Sequence, residues 1–110
     1  MGASKSAFFS EQQNQTADIF KALGHPARIA ILEQILSMNS CICGDLVNTL
    51  PLSQATISQH LRELKNANII KGTIEGNSIC YCINEETLDQ IRTTLSALID
   101  SSKNKINQCC

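Results

Sequence analysis

Two cysteine pairs hold most of the chemistry this chain could perform. Residues 40 to 45 read "SCICGD", with Cys41 and Cys43 two apart and a turn through Gly44 and Asp45 behind them. Residues 78 to 84 read "SICYCIN", in which Cys80 and Cys82 flank Tyr81. A thiol ligates metal as the thiolate, and an unperturbed cysteine has a pKa of ~8.5, so a metal that displaces those protons binds in a pH-dependent way. Three uses fit the spacing: small apolar filler, a disulfide framework, or a site for a soft metal. Cys109 and Cys110 add a vicinal pair at the end of the chain. That pair is able to supply a third thiol or to bind a trivalent organoarsenical, and it is equally readable as an incidental end.

The chain that must position these thiols has 110 residues, 43% of them hydrophobic, with no Trp and four aromatics. One domain with a core of Ile, Leu, Val and Ala follows. Nine Lys and Arg stand against ten Asp and Glu, so any nucleic-acid footprint is local rather than global. No segment reaches the ~18 apolar residues of a membrane span, and the N-terminus lacks an apolar signal core. "MGASKS" fits the myristoylation pattern only in its short, degenerate form. A cytoplasmic protein with no membrane partner is expected. In that reducing compartment six cysteines read as metal-binding, redox-active or buried thiols.

Residues 1–10 read as an N-terminal tail, 11–104 as the folded domain and 105–110 as a C-terminal tail holding Cys109 and Cys110. A first helix is expected from Glu11 to Leu23, ending at Gly24. Pro26 suits the first position of a second helix, in which Ile29, Leu32, Ile35 and Leu36 recur at helical spacing. The "SCIC" strand follows, then a short helix in "DLVNTL" capped by Asp45. Ser53 caps "QATISQHLRELKNANI". "IIKGTIE" and "SICYCIN" flank Gly76-Asn77, a favoured two-residue hairpin turn. Counting outward pairs Glu75 with Ser78, Ile74 with Ile79, Thr73 with Cys80, Gly72 with Tyr81, Lys71 with Cys82 and Ile70 with Ile83. Ile70, Ile74, Ile79, Tyr81 and Ile83 then share one face, and Lys71, Thr73, Cys80 and Cys82 the other. A last helix from Glu85 to Lys103 carries Leu88, Ile91, Leu95, Leu98 and Ile99 as one stripe. The order is α-α-β-α-α-β-β-α, mainly helical with a β-hairpin wing: a winged helix-turn-helix.

In the helix after Ser53, Ile57, Leu61 and Leu64 must face the core, since they recur at spacings of four and three. The outer side holds Ala55, Thr56, Gln59, Arg62 and Glu63, with Gln54 and Ser58 at its N-terminal end. Gln and Arg make bidentate contacts to base edges, and Ser or Thr serves bases or phosphates. Ser53, Gln54, Thr56, Ser58, Gln59 and Arg62 are therefore the candidate DNA-binding residues. The bland alternative is an ordinary amphipathic helix with a polar outside. Residues 53 to 76 hold three basic residues against two acidic ones, so few phosphates would be met per subunit.

"FKALGHPARIAILEQI", "LPLSQATISQHLRELKNANIIKG" and "EGNSICYCIN" together resemble the ArsR/SmtB family of metal-responsive repressors over residues 16 to 100. The resemblance implies a homodimer paired through its first and last helices. It also implies binding to double-stranded operator DNA and release when a thiophilic or transition metal binds. Isologous pairing would set two reading helices ~34 Å apart on an inverted repeat.

One family zinc site lies on the last helix and needs histidine, but residues 85 to 104 offer Asp89 and Asp100 and no histidine. His25 and His60 are the only histidines in the chain. His25 reads as a helix-entry residue, and His60 as a residue near phosphate or core. Another family site places cysteines one and three residues before an Asp. Here they stand two and four before Asp45, so the frame is displaced.

A different geometry follows if "SCIC" pairs with "ICYC", as in winged helices. Side chains two apart share a face of a strand, and strands lie ~4.8 Å apart. With Ile42 inward like Tyr81, Cys41, Cys43, Cys80 and Cys82 would emerge together as a metal site. Arsenic(III) or antimony(III) takes three thiolates, and cadmium, lead or zinc three or four. Arsenic(III) or antimony(III) is the expected inducer, with no organic cofactor. Cross-strand cysteine pairs can also bridge, which gives an oxidation switch. A repressor sensing Cd, Pb, Zn or oxidants is the alternative within this class, and a soluble thiol metal carrier without DNA function the alternative outside it. No nucleophile–base pair or phosphate loop suggests an enzyme.

Overall fold

The computed structural model describes residues 7–38, 42–43, 50–75 and 78–105. Its elements are α1 (Glu11–Leu23), α2 (Pro26–Leu36), β1 (Ile42–Cys43), α3 (Gln54–Asn66), β2 (Ile70–Glu75), β3 (Ser78–Ile83) and α4 (Glu85–Lys105). All of the expected short helix in "DLVNTL" except Leu50 lies outside the described residues, as do the Gly76-Asn77 turn and Cys109 and Cys110.

Local sequence sets the helix ends. Ser10 caps α1 through a reciprocal box: the Gln13 N–H donates to Ser10 Oγ at 3.0 Å, and the Ser10 N–H donates to Gln13 Oε1 at 2.9 Å. His25 caps α2 by accepting the Ala27 N–H at Nδ1 (3.0 Å), with Pro26 in the first position. α3 ends at Ala67, after which Asn68 takes a left-handed φ of 62°. The Asn68 carbonyl then accepts from the buried Thr87 hydroxyl of α4 at 2.6 Å. The Asn84 N–H donates to the Ile69 carbonyl at 3.0 Å, so the start of α4 is tied to the junction between α3 and β2.

The strands form one antiparallel sheet in the order β1-β3-β2. All six expected hairpin pairs are present, from Ile70↔Ile83 to Glu75↔Ser78. β1 lies on the other side of β3, with Ile42↔Tyr81 and Cys43↔Cys80. The two Cys-x-Cys segments are therefore neighbours, as the strand argument requires.

The core gathers Ala22, Ile31, Leu32, Ile35, Ile57, Leu61, Leu64, Ile69 and Ile70, with Tyr81 and Ile83 packed against it. Ile31, Leu64 and Ile69 have no exposed surface. Burying a side chain of this size contributes about 1.5–3 kcal/mol. One expectation needs correction. In α2 the buried face is Ile31, Leu32 and Ile35, whereas Ile29 and Leu36 are exposed. Ile29, Ile31, Leu32, Ile35 and Leu36 make that helix apolar nearly all round, so periodicity cannot choose its inner side. In β3, Ile79 is exposed because it stands toward the outer end of the hairpin, away from the helical core.

Candidate DNA-reading helix and cysteine strands

α3 presents a sharply divided surface. Ile57, His60, Leu61 and Leu64 are buried, while Gln54, Ala55, Thr56, Ser58, Gln59 and Arg62 are exposed. At its N-terminus the Thr56 N–H donates to Ser53 Oγ at 3.2 Å, and the two hydroxyl oxygens lie 2.9 Å apart. Ser53 thus supplies one acceptor for the free N–H groups of the first turn. One turn on, Arg62 Nη1 donates to Gln59 Oε1 at 2.9 Å, which joins two side chains able to read base edges. All six sequence-predicted DNA residues lie along this helix or at its cap.

The inner side of α3 carries a polar fixture that sequence reasoning does not identify. Arg28 Nε donates to His60 Nδ1 at 3.1 Å, and Arg28 Nη1 donates to the Ala22 carbonyl at 3.1 Å. One guanidinium thereby holds the end of α1, the body of α2 and the reading helix together. His60 is buried, and its ring sits 4.4 Å from that of His25. Burial first, and then the charges of His25 and Arg28, hold the His60 imidazole below its usual pKa, while Glu63 pulls the other way. A neutral imidazole with an accepting Nδ1 is the form this arrangement selects. The available signal was a single Arg inside the apolar run "PARIAILEQIL".

On the sheet, Cys43 stands opposite Cys80 in one cross-strand row, and Lys71 stands opposite Cys82 in another. Cys41 lies outside the described residues, and Cys43 is described in its backbone alone. Of the four thiols expected on one face, Cys80 is only 1% exposed. Cys80 stands on the central strand, between Cys43 of β1 and Thr73 of β2. Cys82 is half-buried and lines an open cavity with Lys71, Asn84 and Glu86. Cys80 and Cys82 are both disulfide-bonded, the oxidised counterpart of a thiol site. Among the described residues, no three His, Cys, Asp or Glu side chains are grouped to hold a metal ion. No helix among them is long and apolar enough to cross a membrane.

Comparison with known proteins accords with this geometry. Residues 25–71 match the family model described as "Bacterial regulatory protein, arsR family". The chain is 38% identical over 82 residues to an uncharacterized HTH-type transcriptional regulator of Methanocaldococcus jannaschii, covering 74% of this chain and 91% of that one. It is 30% identical over 89 residues to the arsenical resistance operon repressor of Staphylococcus xylosus, covering 81% and 85%. A cadmium resistance transcriptional regulatory protein CadC homolog from Staphylococcus aureus is 39% identical over 77 residues, covering 68% and 62%. Among solved structures, an ArsR-like transcriptional regulator from Rhodococcus sp. RHA1 superposes with a TM-score of 0.74 at 21% identity, covering 90% and 92%. These relatives and this fold are those of transcriptional regulators, not of enzymes.

Proposed function

This chain belongs to the arsR family of bacterial regulatory proteins, and from that premise we propose that it is a homodimeric operator-binding repressor whose DNA affinity is set by its strand cysteines. In the reduced state Ser53, Gln54, Thr56, Ser58, Gln59 and Arg62 meet an inverted-repeat operator. Trivalent arsenic or antimony, held by three thiolates from Cys41, Cys43, Cys80 and Cys82, releases it. The observation that carries this reading is the pairing of Cys43 with Cys80 across β1 and β3, which makes neighbours of two motifs nearly forty residues apart. The cavity beside half-buried Cys82 offers a route by which a small oxyacid could reach the sheet.

Dimerisation has its own support. On α4, Leu95, Leu98 and Ile99 are exposed, Leu98 by 60%, on the stripe that the sequence marks as apolar. A second copy of the chain is the partner that would cover such a stripe in this family.

One observation favours a second reading: the disulfide bonding of Cys80 and Cys82. On that reading, oxidation of the same cysteines, rather than a metalloid, sets operator affinity.

The test is fluorescence anisotropy on labelled promoter DNA under reducing conditions, with arsenite, antimonite, cadmium and zinc titrated separately. Salt-sensitive binding to a palindrome, reversed by arsenite or antimonite, supports the proposal. Indifference to DNA at any thiol state would leave only a metal carrier. Release on oxidation without a response to any metal would select the redox reading.

A further inference from the structure

Tyr81 lies between the two cysteines of β3, and its neighbours in the sheet are Ile42 on one side and Gly72 on the other. Side chains alternate along a strand, so Tyr81 points to the face opposite Cys80 and Cys82. That face is the one turned toward the helices, since Tyr81 packs against the hydrophobic core. Above Gly72 three side chains converge. A Cβ built on this glycine would lie 3.4 Å from Lys65 Nζ, 3.5 Å from Tyr81 Cε1 and 3.6 Å from Ile79 Cγ2. The Tyr81 ring and the Lys65 ammonium thus both border the space that the missing side chain of Gly72 leaves over the sheet.

Lys65 belongs to the last turn of α3. Its neighbour Leu64 has no exposed surface, and Ile69 and Ile70 beyond the turn are equally enclosed, so the end of the reading helix cannot shift independently of the sheet.

We infer that Tyr81 is the positioning residue that carries the state of Cys80 and Cys82 to α3, through the space over Gly72 that it shares with Lys65. The inference rests on the proposed function, in which chemistry at those cysteines alters operator affinity. Closing or capturing the thiols changes the spacing of β3 from its partners, and the ring moves with the backbone it stands on. Lys65 receives that movement at the C-terminal end of the helix whose outer face meets DNA.

The experiment compares operator affinity with and without sodium arsenite in the reduced parent protein and in Tyr81→Phe, Tyr81→Ala and Lys65→Gln. A second readout is the near-ultraviolet arsenic–thiolate absorbance of the DNA-free proteins, which reports arsenite binding alone. The parent should weaken about fivefold or more on the operator when arsenite binds. Tyr81→Phe keeps the ring and should retain that ratio. In Tyr81→Ala and Lys65→Gln the ratio should fall toward one while arsenite binding persists. Lys65 is exposed, so Lys65→Gln decides the matter even where Tyr81→Ala fails to fold. A full arsenite response in Lys65→Gln would overturn the inference and leave the proposed function standing. A parent protein without any response would overturn both.

Discussion

Replacing Arg28 by Met should unlock the reading helix from the rest of the domain. The guanidinium donates to His60 Nδ1 and to the Ala22 carbonyl, both at 3.1 Å. The second bond satisfies a carbonyl at the end of α1, where intrahelical partners run out. Methionine keeps the aliphatic stem and most of the packing but leaves both acceptors without their donor. A hydrogen bond to a charged group contributes about 1.5–3 kcal/mol, and an orphaned buried acceptor costs about 1–3 kcal/mol. Arg28 is only half-buried, so water recovers part of the loss, and about 2–4 kcal/mol of destabilisation is expected. That is a large share of the ~5–15 kcal/mol typical of a domain. The assay is equilibrium urea unfolding at pH 7.5, with parent and variant at one protein concentration because self-association would make stability depend on it. A lower midpoint with an unchanged slope is the expected result. A change below about 0.5 kcal/mol, the range of ordinary surface substitutions, would refute the view that Arg28 fastens the three helices.

Three further outcomes follow from the same geometry. Ser53→Ala removes the acceptor for the Thr56 N–H and should cost about 1 kcal/mol in urea unfolding, together with weaker operator binding. Asn68→Val places a β-branched residue at φ 62° and should cost about 1–2 kcal/mol, seen as a lower thermal midpoint. Because folded His60 holds its proton less tightly than the ordinary 6.5, the unfolded chain binds more protons as pH falls. Its contribution is therefore complete above about pH 6.5 and is lost as pH drops from there toward the depressed value. Urea midpoints at pH 7.5, 6.5 and 5.5 should show this loss in the parent, and a smaller one in His60→Asn, whose amide oxygen accepts without titrating.

Much of the fold was legible because its signals are local and agree with one another. The register of the hairpin followed from a two-residue turn and an alternating pattern, and a slip by one residue would have exposed Ile70. The inner face of α3 was equally plain, since Ile57, Leu61 and Leu64 are its only large aliphatics. What stayed hidden was the choice among several sufficient answers. α2 carries apolar residues on nearly every side, so its inner face depends on where α1 and α3 lie. The role of Arg28 depends on His60, thirty-two positions along the chain, and no spacing rule joins them. The place of Cys80 on the central strand between β1 and β2 was inferable, but its near-complete burial was not.

The most direct test of the cysteine site is operator affinity of the fully reduced protein before and after arsenite, measured in the parent and in the double variant Cys43→Ser/Cys80→Ser, which leaves two of the four strand thiols. Weakening of about 5–150-fold is expected in the parent, the usual span of allosteric coupling, and little or none in the double variant. Equal release in both proteins would contradict the proposal, by removing the paired strands from the sensing site.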